Sequence, residues 1–166
     1  MANKTAFTAD EWNHVRAGAF MAGFAITAAD PSGLWGLLKE TFASGRALIE
    51  AKTDASASEL SRAIVADMET SEGRSAAQDY VKGRLHGAKR EEIKQRAIDA
   101  LRSAAATVEQ KAPADAAAYK AWLLHIAQNV AEASKEGGFL GFGGVAVSDA
   151  EKATLSEIGA ALGIRA

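Results

Sequence analysis

The chain has no cysteine among its 166 residues. That excludes disulfides, thiol nucleophiles and cysteine-based zinc or iron–sulfur sites, and it fits a reducing compartment. Proline occurs only at Pro31 and Pro113, so long alanine-rich stretches run without a helix breaker. Strand-like alternation is confined to Val145-Ala-Val147, which has no second strand to pair with. The longest nearly apolar run, Ala17 to Ala29, falls well short of the roughly 20 residues that span a bilayer. An excess of basic charge is missing too: the net charge is −2, which gives no global attraction to nucleic acid. The first residues, Met1 to Trp12, carry acids early and hold no apolar signal stretch, so a cytoplasmic protein is expected.

What is present is helix signal, and it predicts an all-α single domain over 1–166, an irregular bundle of six or seven helices. A chain of this length can bury roughly 70% of its unfolded surface, so it needs no disulfide or metal to fold. Phe7, Thr8, Glu11 and Trp12 spell a capping box with a hydrophobic staple, which starts the first helix. Trp12, Val15, Ala19, Ala22 and Ile26 share one face of it, widened by Phe20 and Phe24. Gly18, Ala19, Ala22 and Gly23 form rows of small residues that let another helix approach closely, and they also offer a surface for self-association.

Asp30-Pro31 should cap and open a second helix, with Leu34, Leu38, Phe42 and Ile49 carrying it to about Lys52. A box at Ser56 and Glu59 should begin a third, which uses Leu60, Ile64 and Met68 and frays near Gly73. Ser75 and Gln78 make a weaker box before Tyr80, Val81 and Leu85, and His86-Gly87 marks a break. From Ala88 to Lys111, Ile93, Ala97, Leu101, Ala105 and Val108 line one face of a long helix that Pro113 terminates. Tyr119, Trp122, Leu123, Ile126 and Val130 line the next, which should stop at Gly137. Ser148 and Glu151 cap a last helix with Leu155, Ile158 and Leu162, closed by Gly163.

Between those final two helices lies the most unusual stretch, the glycine-rich loop Gly137 to Ser148, which holds no charged residue. Phe139, Leu140, Phe142, Val145 and Val147 sit among its glycines. Apolar side chains spaced by glycine either plug a core, the expected reading, or form an exposed contact for a protein partner or a membrane surface. Its Gly141-Phe-Gly143-Gly-Val-Ala146 run fits a loose dinucleotide fingerprint, but a helix rather than a strand precedes it and no Walker lysine follows.

Other patterns that could carry chemistry are sparse. Glu11 and His14 have the Glu-x-x-His spacing of di-metal helical bundles, yet no second such pair exists and Glu11 is already assigned to the cap. His125, Gln128, Asn129 and Glu132 lie along one strip of a helix, where His125 and Asn129 are candidates for a small ligand; a solvated face is the plainer reading. Lys82 to Arg102 is basic, but Glu92 with Arg96, Glu91 with Lys94 and Asp99 with Arg102 stand at neutralising spacings, which argues against nucleic acid. No catalytic residue and no cofactor is implied. The residues point instead to a non-enzymatic binding or scaffold module with a protein partner or a second copy. The alternatives are a ligand-binding bundle or enzyme with its site near His125, and a peripheral membrane contact through the loop.

Phe7-Thr-Ala-Asp-Glu-Trp12, Ala28-Ala-Asp-Pro-Ser-Gly33 and Lys135 to Ser148 together resemble a group of small bacterial all-helical proteins of unassigned function. The likeness covers the two ends of the chain and not 51–112. It implies a bacterial origin and a single helical domain, and brings no reaction, ligand or catalytic residue with it.

Overall fold

Helix α1, Ala9–Ala29, runs through the middle of the molecule and is buried on most of its circumference. The computed structural model describes residues 4–29, 58–136 and 147–164, and within these the chain is all-α, with six α-helices. After α1 come α2, Glu59–Glu69; α3, Ser71–Leu85; α4, Arg90–Lys111; α5, Pro113–Glu136; and α6, Asp149–Ala161. α1 packs against α3, α4, α5 and α6, while α2 lies against α3 and α5. The expected second helix, capped by Asp30, opened by Pro31 and running to about Lys52, lies outside the described residues.

Local chemistry explains where the helices start. Thr8 and Glu11 close the first box: the Thr8 amide donates to the Glu11 carboxylate at 2.8 Å, and the Glu11 amide donates back to the Thr8 hydroxyl at 3.3 Å. Phe7 staples onto Trp12, ring centroids 5.8 Å apart. At α6 the Ser148 amide donates to Glu151 at 2.8 Å and the Glu151 amide donates to the Ser148 hydroxyl at 3.2 Å. Ser148→Ala should therefore cost about 1 kcal/mol, read as a lower denaturation midpoint in urea. The far end of α6 is a Schellman closure, with Gly163 at φ +68°, the Gly163 amide on the Ala160 carbonyl and the Ile164 amide on the Gly159 carbonyl.

Two starts differ from the sequence reading. The N-cap of α2 is Ser58, whose hydroxyl accepts from the Ser61 amide at 3.2 Å. Glu59 is then the first helical residue, one position after its cap, and Ser56 of the expected box lies outside the described residues. Likewise α2 does not fray at Gly73. It ends at Glu69, and Thr70 both donates its hydroxyl to the Asp67 carbonyl (2.6 Å) and accepts from the Gly73 amide (2.9 Å), so α3 begins at once. Ser75 and Gln78 lie inside that helix rather than capping it. Gly73 is needed for a close approach: a Cβ there would sit 2.0 Å from the Asp67 carbonyl oxygen. Arg74 reaches back to the carbonyls of Met68 and Glu69, which closes the last turn of α2.

The remaining joints follow the expected punctuation. Gly87 at φ +69° breaks the chain after α3, and Arg96 donates to the carbonyls of Arg84 and His86 across that break. Only Ala112 separates α4 from α5, since Pro113 is both the stop of one helix and the first residue of the next. The core then joins Trp12, Val15 and Ile26 of α1 with Leu60, Ile64 and Met68 of α2. From the later helices it takes Ala97, Leu101 and Val108 of α4, Tyr119, Trp122 and Leu123 of α5, and Ile158 from α6.

Candidate functional site

The polar groups that sequence could offer to chemistry gather on the first half of α1. Glu11 is occupied twice, by the Thr8 amide and by Lys111 at the end of α4, 3.1 Å away. The Thr8 amide foremost, and Lys111 after it, hold its carboxyl below the usual range despite some burial. A carboxylate so engaged is a tie between helices.

His14, three residues on, turns away to α3. Its ring lies 5.5 Å from that of Tyr80, and its Nε2 is enclosed with no hydrogen-bond partner among the described residues. Burial, and next the positive charge of Arg84, depress its pKa below the ordinary imidazole value, partly offset by a hydrogen bond to the Ala100 backbone. Arg84 completes the layer: its guanidinium lies 5.6 Å from the Tyr80 ring centroid and its Nε donates to the Tyr80 hydroxyl at 3.0 Å. Glu11 and His14 are thus directed to different neighbours rather than to one shared centre. Among the described residues no three histidine or carboxylate groups converge as metal ligands would.

The densest polar cluster was not singled out in the sequence. Arg16 is 2% exposed, and its guanidinium makes short contacts with Asp67 of α2 and with Asn13. The Trp12 indole donates to the same carboxylate at 2.9 Å, and Lys4 reaches its other oxygen at 3.1 Å. Burial pushes the Asp67 carboxyl up, but the hydrogen bonds from Trp12, Arg16 and Lys4, with the charge of Arg16, outweigh it and keep the group low. Saturated by three donors, Asp67 is an anchor and a poor base. The signal that could have found it is Arg16 itself, one turn beyond Trp12 on the buried face, because a buried arginine requires a carboxylate from elsewhere.

Tyr119 is a further buried polar group. Its hydroxyl donates to the Val15 carbonyl at 2.7 Å, and burial, with the Tyr80 phenol second, pushes its pKa far above the ordinary value. On the same helix, His125, Gln128 and Glu132 are exposed and Asn129 is half-buried, so the strip faces outward. Along the surface of α4, Asp99 and Arg102 pair at 2.7 Å as spacing suggests. Glu92, however, accepts from the Lys89 amide, and Lys94 reaches Glu157 of α6 at 2.9 Å. Phe139 and Phe142, with the rest of 137–146, lie outside the described residues; Val147, at the loop's end, packs partly against the core. No helix among the described residues is long and apolar enough to cross a membrane.

No family model matches the chain, and no curated protein or solved structure is significantly similar to it.

Proposed function

We propose that this protein is a non-enzymatic helical binding or scaffold module. What carries the reading is the use made of its buried and half-buried polar groups. Glu11 joins α1 to α4 through Lys111, Asp67 joins α2 to α1 through Trp12 and Arg16, and Tyr119 joins α5 to α1. Each of these groups holds one helix to another, which favours a rigid scaffold whose function lies on its surface.

Where a partner docks is narrowed by α1. Its small-residue row is enclosed by the chain's own helices, Ala19 and Ala22 being buried and Gly18 lying beneath Tyr119, so a second copy has to meet another face. Phe139 and Phe142, in the apolar loop between α5 and α6, stay the candidate partner contacts, beside the expected reading in which they plug the core.

Native mass spectrometry of the full chain, paired with a thermal-shift screen of metals and common metabolites, tests the proposal. A protein that carries no retained small molecule and associates with a second copy or a protein partner is the expected result. A stoichiometric metal or metabolite, or a melting rise of several degrees with one compound, would overturn it, because tight binding stabilises by mass action.

A further inference from the structure

The layer of His14, Tyr80 and Arg84 sits where the helix with the fewest buried residues meets the most buried one. α3 buries only Gly73, Ala77 and Val81, and most of its other side chains are exposed. Tyr80, half-buried, is the largest of its side chains packed against the core, and its ring lies 5.5 Å from that of His14. A helix held by so few apolar groups opens at a lower free energy than the bundle as a whole.

We propose that His14 is an acid-sensitive latch between α1 and α3, whose protonation releases α3 locally while the rest of the bundle stays folded. An imidazolium carries a proton on both nitrogens, and Nε2 is enclosed with no acceptor among the described residues. The groups facing it from α3 are Tyr80, a neutral phenol, and Arg84, a cation; from α4 the Ala100 backbone favours the charged form but only partly offsets burial and Arg84. On α1 itself Glu11 lies one turn earlier, but Thr8 and Lys111 occupy it. Opening would free His14 to take its proton in water, and would expose Ala77, Tyr80 and Val81 together with the face of α1 beneath them.

The sign follows from burial. A histidine whose folded pKa is depressed contributes stability that is complete above the ordinary value of 6.5 and declines as pH falls below it toward the folded value. At pH 5.5 the open state of α3 gains up to about tenfold, the limit for one imidazole that is protonated only when open.

Hydrogen exchange of the full chain at pH 7.5 and 5.5, corrected for the chemical exchange rate, reads this directly. The amides of 71–85 should lose protection at pH 5.5 relative to those of α4 and α5, and His14→Gln should abolish the difference. His86→Gln and His125→Gln, which remove the two exposed histidines, should leave it in place. Since His14→Gln alters a buried layer, an NMR titration of the His14 ring in the unaltered protein stands beside it, with an apparent pKa below 6.5 expected. A ring titrating at or above that value would overturn the proposal, as would equal acid sensitivity of α3 and α4 or an unchanged response in His14→Gln.

Discussion

Asp67→Ala should lower the stability of the bundle by about 3–5 kcal/mol, because it leaves the buried Arg16 charge without its partner. For a domain of this size that corresponds to a melting temperature roughly 6–20 °C lower. The carboxylate is 15% exposed and receives Trp12 Nε1 and Arg16 on one oxygen and Lys4 on the other, so three donors lose an acceptor in one substitution. Lys4 contributes least: its side chain is 60% exposed and water replaces the pair. The decisive comparison is Asp67→Ala with Arg16→Met. Removing both charges should recover much of the loss, since an apolar replacement of a buried pair is commonly neutral while an orphaned charge is not. A single Asp67→Ala variant that melts within a degree or two of the parent would show that Arg16 finds another partner and that α2 is held by its apolar face alone.

The same cluster sets a lower pH limit. Asp67 has its folded pKa depressed, so its contribution is present at neutral pH and is lost as pH falls below the ordinary carboxylate range toward its folded value. That window lies well below the one assigned to His14, and the two can be separated in a single pH series. His14 acts on α3 as the medium becomes mildly acidic; Asp67 acts on the joint of α1 and α2 only in strong acid.

What was legible in the sequence is what local spacing encodes. The boxes at Thr8 and Ser148, the break at Gly87, the closure at Gly163 and the buried faces of α1, α4 and α5 all rest on residues within five positions of one another. The joint of α2 and α3 is not legible locally, because Gly73 looks like a helix stop. Its role is a close approach to the Asp67 carbonyl, which is a property of three-dimensional packing. The link of Arg16 to Asp67 spans 51 positions and leaves no local pattern, beyond an arginine placed on an apolar face. His14 stands out in the sequence by its spacing from Glu11, yet its neighbours come from α3 and α4, so only the fold shows its environment. Candidate ligand residues His125 and Asn129 were readable as a strip, and the structure adds that the strip looks outward.

Gly18→Ala tests the closest approach of α1 to its neighbours, and it should destabilise even though alanine is the better helix former. A Cβ at position 18 would lie 2.5 Å from the Tyr119 hydroxyl oxygen and 3.4 Å from both Leu123 methyls. Tyr119 cannot easily retreat: it is fully buried, its hydroxyl donates to the Val15 carbonyl, and its ring lies 6.0 Å from that of Trp122. Alanine gains about 1 kcal/mol of helix propensity. Against this stand about 1–3 kcal/mol for overpacking and about 1 kcal/mol for the displaced hydrogen bond, so a net loss of about 1–3 kcal/mol is expected in urea denaturation. Tyr119→Phe alone should cost about 1 kcal/mol, since the Val15 carbonyl keeps its partner within the helix. Combined, the two changes should be more stable than Gly18→Ala by itself, because the added methyl enters the space that the hydroxyl vacates, and the cycle should return a coupling of about 1 kcal/mol or more. Strict additivity of the two would mean that the methyl and the hydroxyl do not compete for one space.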